Sequence, residues 1–396
     1  MKKILFFHHY NSPVGAGLSF LHILKSINLN KYEVVVYLPP ISGSLAQKIE
    51  ELGITVLFSP SVVPYMHFNG SNMSFLSKRN FKNCCEINRA KKTIKQIILF
   101  ENPDCVIVNS LTLFWVGKIA QNLRIKSICF HRETYAKGMF GIRTHFIKKQ
   151  LSKYFDGIAF LSNFDMKQTY NAGGKYIRIT DKVDVNSYLS LKKSVCRDKL
   201  SLPQNENLIL YLGGMSKLKG PHVVVEAMKN ITEAKLIFLQ YEPKPIVSLK
   251  DRIKYFIKVI LNKNLEHKVL KIIEKNNLQS RIIFRPATYQ VEEYFVACDI
   301  VVFPSTQAHQ ARPIYEAGIA RKPIIITDFT NTSEFLDSTN GWLFENGNPT
   351  SLSKEINKVL SVKEISKIEE NYNRSFEFNN LNTLPLELQT FFDMIF

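Results

Sequence analysis

The densest concentration of potential chemistry follows the apolar run Ile300-Val301-Val302-Phe303. It reads Pro304-Ser305-Thr306-Gln307-Ala308-His309-Gln310-Ala311-Arg312, then Pro313-Ile314-Tyr315-Glu316-Ala317-Gly318. A buried strand that delivers such a loop places His309 and Arg312 where ligands bind, with Glu316 at the start of the next helix. Arginine in that position can grip phosphate oxygens through two parallel N–H groups, and a carboxylate can clamp sugar hydroxyls.

Two glycine-rich turns offer a second kind of chemistry. Gly15-Ala16-Gly17 follows the first apolar run and precedes a helix, so backbone amides and the positive helix end can approach an anion closely. The same segment also fits an ordinary tight turn. Gly213-Gly214-Met215-Ser216-Lys217-Leu218-Lys219-Gly220 repeats the arrangement later in the chain and adds Lys219, whose ammonium could neutralise a diphosphate. The plainer alternative is a solvated lysine beside a turn.

The elements that must position these residues are legible as short apolar runs separated by helical stretches. The runs are Ile4–Phe7, Tyr32–Leu38, Thr55–Phe58, Cys105–Asn109, Ser127–His131 and Gly157–Ser162, then Leu208–Leu212, Lys235–Gln240, Arg281–Phe284, Ile300–Phe303 and Pro323–Thr327. That spacing predicts an α/β protein of two Rossmann-like parallel-sheet domains facing a central cleft, with ligands at the carboxyl ends of the strands. The expected domains are 1–185 and 186–375, with a helix in 376–396 packing back on the first.

Composition narrows the class. The chain has 396 residues, 45% hydrophobic and 22% charged, a balance that suits two folded domains. Six cysteines lack metal-ligand spacing, which fits a reducing compartment and predicts no metal site. The start, Met1 to Phe7, reads as a buried strand rather than a leader, and no run is long enough to span a bilayer, so a cytoplasmic protein is expected. The net charge of +18 draws anions, but no nucleic-acid motif accompanies it. Between Lys137 and Phe155 a basic stretch holding Phe140, Arg143, His145, Phe146, Lys148, Lys149, Lys153 and Tyr154 could rest on anionic lipid headgroups at the inner face of a membrane, or be a solvated amphipathic helix. A second basic run, 249–275, poses the same choice.

Phe303-Pro304-Ser305, Tyr315-Glu316-Ala317-Gly318, Arg321-Lys322-Pro323-Ile324-Ile325, Ser333-Glu334-Phe335 and Asn340-Gly341-Trp342-Leu343-Phe344 together resemble, in order and spacing, the retaining glycosyltransferase family four. The resemblance covers nearly the whole chain. It implies the two-domain GT-B fold, a UDP- or GDP-linked sugar donor, a glycan or polyprenyl-diphosphate-linked acceptor of surface-polysaccharide synthesis, and no cofactor or metal. Of the family's two glutamates eight positions apart, Glu316 matches the second, which contacts the ribose, while Ala308 stands at the first. Lys219 matches the phosphate-binding lysine, and Gly214 stands where an arginine is usual, leaving Arg312 to supply the missing charge. The base is read near Phe284-Arg285-Pro286. In the first domain His131, in Ser127-Ile128-Cys129-Phe130-His131-Arg132-Glu133, matches the histidine that faces the transferred sugar, with Glu133 a polar neighbour. A nucleotide-sugar epimerase of the same architecture, or a nucleotide- or glycan-binding partner subunit without turnover, fits the departures at Ala308 and Gly214.

Overall fold

The computed structural model describes all residues except 13–14, 66–77, 136–138, 170–174, 244–263, 309–311, 363 and 380–382. The chain divides into two compact units: one comprises Met1–Lys182 and Asn380–Phe396, and the other Val183–Asn379.

The first unit is built on seven parallel strands, β1 (Lys2–Phe7), β2 (Tyr32–Leu38), β3 (Thr55–Phe58), β4 (Cys105–Val108), β5 (Lys126–His131), β6 (Gly157–Phe160) and β7 (Lys175–Arg178), in the spatial order β3-β2-β1-β4-β5-β6-β7. Central strands of such a sheet are covered on both faces and therefore read as continuous apolar runs. Ile4, Leu5, Phe6 and Phe7 are all buried, and in the β1–β4 register Phe7 pairs with Val108. Alternate residues feed separate cores. Leu5, Phe7, Val106 and Val108 pack under α3 (Lys78–Glu101), α4 (Phe114–Asn122) and α5 (Ile142–Tyr154); a shorter helix, α6 (Asn163–Thr169), follows β6. Ile4, Phe6, Cys105 and Ile107 pack under α1 (Ala16–Lys25) and α2 (Leu45–Glu50) on the opposite face.

The final helix, Leu384–Ile395, joins that second core through Leu384, Leu388, Phe391, Phe392 and Ile395. Gly157 admits it: a Cβ there would lie 2.6 Å from Ile395 Cδ1 and 2.9 Å from Phe391 Cζ.

The second unit repeats the plan with six parallel strands, β8 (Asn207–Tyr211), β9 (Ala234–Leu239), β10 (Ile282–Arg285), β11 (Ile300–Phe303), β12 (Ile324–Thr327) and β13 (Trp342–Phe344), ordered β10-β9-β8-β11-β12-β13. Two edge strands, β7 and β13, lie outside the apolar runs picked from the sequence. In both units the order reverses beside the first strand, and in open α/β sheets that switch point is where ligands settle.

Candidate active site

In the second unit β8 ends at Tyr211 and β11 ends at Phe303, neighbouring strands whose following loops interlock. Gly214 takes φ +52°, and a Cβ on it would stand 2.7 Å from Gln240 O, so only glycine suits the position. Its amide donates to Leu239 O at 3.2 Å, and the Tyr211 hydroxyl donates to Gly214 O at 3.0 Å. A 3-10 turn, Lys217–Lys219, leads through Gly220 (φ +67°) into the helix Pro221–Ala227. A Cβ on Gly220 would lie 2.0 Å from Pro304 O, which shows how closely the two loops approach.

The β11 loop grips that turn. Ser305 Oγ is 3.0 Å from Leu218 O, the Thr306 amide donates to the same carbonyl at 2.9 Å, and Thr306 Oγ1 donates to Lys217 O at 3.1 Å. Lys219 is thereby fixed with its Nζ 4.6 Å from the centre of the Phe303 ring. Burial of the ammonium pulls its pKa down to about 7. Among the described residues no carboxylate pairs with it. A cation held in this way, beside backbone amides at a helix start, is poised to accept an anion.

Arg312 and Glu316 occupy the first turns of the helix Arg312–Ile319. They bind each other: Arg312 Nε donates to Glu316 Oε1 at 3.0 Å, with both side chains largely buried. The Tyr188 phenol packs there too, and burial, followed by the charge of Glu316, pushes its pKa well up. In this state the charge of Arg312 is therefore spent on Glu316, which qualifies the expectation that Arg312 stands in for the arginine replaced by Gly214. Arg285 closes β10 and turns its guanidinium onto the carbonyls of Leu200 at 3.1 Å and Ser201 at 3.4 Å. Ala308 is described, while His309 lies outside the described residues.

The first unit gathers its polar residues at the carboxyl ends of β1, β4 and β5. His131 ends β5, fully buried, with its ring 5.2 Å from that of Phe160 and 5.7 Å from that of Tyr135. Among the described residues neither ring nitrogen has a hydrogen-bond partner, and burial lowers its pKa to about 4, so the imidazole is neutral at physiological pH. Glu133 does different work. Its carboxylate accepts from the Ser110 hydroxyl, from the Leu111 amide at 3.0 Å and from the Arg132 amide at 3.1 Å. Those donors tie it to the 3-10 turn Leu111–Leu113, which makes it a brace for the loop after β4.

Sequence reasoning missed the adjoining network. Arg132 donates from Nε to Asn109 Oδ1 at 2.9 Å and from Nη1 to Asp181 at 2.6 Å. Asn109 in turn lies 3.1 Å from His8 Nδ1. Burial, then the neighbouring His9, lowers the His8 pKa well below its usual value. The signal was available: His8 and Asn109 are each the first polar residue after an apolar strand. His8 also packs against Phe20 of α1, the helix that begins at Gly15-Ala16-Gly17, with ring centroids 4.9 Å apart. A Cβ on Gly17 would fall 1.9 Å from Ser12 O, so the turn into α1 requires glycine.

Residues 193–376 match the family model described as glycosyl transferases group 1. The second unit is a group 1 glycosyl transferase domain. Poly(ribitol-phosphate) alpha-N-acetylglucosaminyltransferase of Staphylococcus aureus is 25% identical over 221 residues, covering 53% of this chain and 44% of that protein. Spore coat protein SA of Bacillus subtilis is 27% identical over 172 residues, 42% of this chain and 43% of that protein. Each alignment thus spans less than half the length of the curated relative.

Solved structures extend the likeness of fold beyond the group 1 domain. Anabaena HepE in complex with UDP-glucose superposes with a TM-score of 0.75 at 17% identity, covering 100% of both chains. Sucrose-phosphate synthase from Thermosynechococcus elongatus gives 0.72 at 14% identity, covering 100% of this chain and 99% of the other. The fold is therefore the GT-B type, two parallel-sheet α/β units, as the resemblance to glycosyltransferase family four implied. Among the described residues no helix is long and apolar enough to cross a membrane, and no group of three or more His, Cys, Asp or Glu side chains could hold a metal ion.

Proposed function

We propose that this chain is a glycosyltransferase that moves a sugar, with retention of anomeric configuration, from a nucleoside diphosphate donor to a glycan or lipid-linked acceptor. The observation that carries the proposal is Lys219: a half-buried ammonium that pairs with no carboxylate among the described residues, in the loop after β8, inside a group 1 domain. The presence of UDP and UDP-glucose in the HepE structures favours a uridine donor.

In this scheme the bond from the anomeric carbon to the donor phosphate breaks, and its electron pair leaves with the diphosphate. Lys219 and the amides around Gly214 stabilise the charge that develops. The acceptor hydroxyl attacks from the same face, and its proton passes to a donor phosphate oxygen. Charge neutralisation falls to these groups, so the scheme requires no metal.

Arg312 and Glu316 exchange their mutual ion pair for the donor, the arginine taking phosphate oxygens and the glutamate the ribose. His131, neutral and with no hydrogen-bond partner among the described residues, offers the transferred sugar a hydrogen-bonding group. In the first unit the amides of Ala16 and Gly17 stand at a helix start that can accept an anion. A lipid-borne acceptor places the enzyme in the cytoplasm, held peripherally at the inner face of the membrane.

The test is incubation of the pure protein with radiolabelled UDP-sugars and a membrane lipid extract. Label entering the lipid fraction supports transfer. Label that stays in the nucleotide sugar, whether epimerised or unchanged, contradicts it.

A further inference from the structure

We infer that the outer faces of α3, α4 and α5 form a single docking surface for a bilayer bearing anionic headgroups, with an apolar rim at the end of the sheet where His131 lies. The inward stripe of α3, Ile87, Ala90, Ile94 and Ile98, is buried in the core. At 3.6 residues per turn the opposite face carries Phe81, Arg89, Lys92, Lys95, Leu99 and Phe100. Lys118 on α4 and Lys149 and Lys153 on α5 continue the exposed positive surface.

Carboxylates are almost absent from it. α4 and α5 contain no acidic residue, and the two on α3 are both occupied. Glu86 pairs with Lys82, and Glu101 is buried against Lys3 and the Tyr37 hydroxyl. A solvated charged face usually mixes both signs; this one does not.

The apolar side chains decide between a lipid surface and a soluble polyanion. Phe81 is 74% exposed, Phe100 85%, and Phe140, just before α5, 92%. Phe140 also takes φ +53°, a left-handed conformation disfavoured for an aromatic residue, followed by Gly141 at +73°. Strain that holds an aromatic ring in solvent brings no packing in return, whereas insertion among acyl chains rewards it.

The starts of the three helices meet around Tyr65. Its ring lies 5.3 Å from Phe114 of α4 and 6.3 Å from Phe146 of α5, and its carbonyl accepts from Asn83 of α3 at 2.8 Å. α5 is the first α-helix after β5, so its start lies at the end of the sheet that carries His131. Phe81, Phe140 and Ile142 therefore rim the region beside the polar cluster. A bilayer seated there presents lipid headgroups, and any sugar acceptor they carry, next to that cluster. The docking stands independently of the donor site; only its use for a lipid-borne acceptor rests on the transferase proposal.

The full chain is tested by co-sedimentation with vesicles of phosphatidylcholine alone, with vesicles containing phosphatidylglycerol, and, in parallel, for binding to soluble polyphosphate. Binding to the anionic vesicles is expected, with none to neutral ones. Arg89→Gln, Lys92→Gln and Lys95→Gln combined should weaken partitioning roughly 100-fold. Phe140→Ser with Ile142→Ser, which leaves the charge unchanged, should weaken it as well. Vesicle binding by either variant equal to the parent's, polyphosphate binding without vesicle binding, or no binding to either would overturn the inference. The rise in melting temperature on adding UDP is recorded for every protein. Variants that keep that rise are folded with an intact donor site, and a parent that lacks it counts against the donor site without touching the vesicle result.

Discussion

Arg312 Nε stands 3.0 Å from Glu316 Oε1, one helical turn apart, and both side chains are largely withdrawn from water. The two charges thus neutralise each other at the start of this helix. Two desolvated charges of this kind are expensive to separate. Arg312→Ala and Glu316→Ala should each destabilise the protein by about 3 kcal/mol. The double variant should cost less than their sum by about 1–3 kcal/mol. Urea denaturation of the four proteins gives the coupling energy, and strict additivity would show that the pair is not coupled.

His131 makes a prediction about acid. Its folded pKa of about 4 lies below the usual 6.5, so between those values the unfolded chain takes up a proton that the native chain refuses. Stability should therefore fall as pH drops from about 6.5 to about 4, by about 3 kcal/mol in total, and change no further from this group below that. His131→Leu should flatten that part of the profile relative to the parent. Because His8 pulls in the same direction, the difference between the two proteins is the quantity to measure. Parallel profiles would contradict the burial assigned to His131.

Glu133 should behave as a brace. Glu133→Ala leaves the Ser110 hydroxyl and the Leu111 and Arg132 amides without their acceptor, at a cost of about 2 kcal/mol. UDP affinity should be unchanged. Calorimetric titration checks the second point, and a large loss of affinity with full stability would return Glu133 to the ligand site.

The closing helix should be worth as much as a core strand. Phe391→Ala removes a fully buried ring packed against Gly157 and should cost about 3–5 kcal/mol. Chemical denaturation followed by circular dichroism reads it directly. A cost below about 1 kcal/mol would mean that the last helix is not seated in the first unit's core.

What the sequence made legible follows the physics of each residue. Strands buried on both faces must be apolar throughout, so β1, β2, β4, β8 and β11 stood out. β7 escaped because Lys175-Tyr176-Ile177-Arg178 is an edge strand with polar ends, and β13 because it is only three residues long. Lys219 was visible through the glycines that its turn requires. The Arg312–Glu316 pair was visible in principle, since residues four apart on a helix face each other. Assigning both to a ligand overlooked their attraction for one another. The Arg132–Asp181 bridge joins residues 49 apart, and Glu133 meets Ser110 across 23, so neither partnership had a local signature.

The most direct test of the donor site is calorimetric titration of UDP into the parent and Lys219→Ala at pH 6, 7 and 8, in buffers of differing ionisation enthalpy. In the free protein Lys219 titrates near 7, so above that pH a bound diphosphate must draw a proton back onto it. The parent should take up a fraction of a proton that rises with pH and approaches about one at pH 8, and its affinity should weaken toward about tenfold per pH unit. The variant should bind far more weakly at every pH, with that uptake abolished. UDP binding that is equal in the two proteins and free of proton uptake would contradict the assignment of Lys219 to the diphosphate.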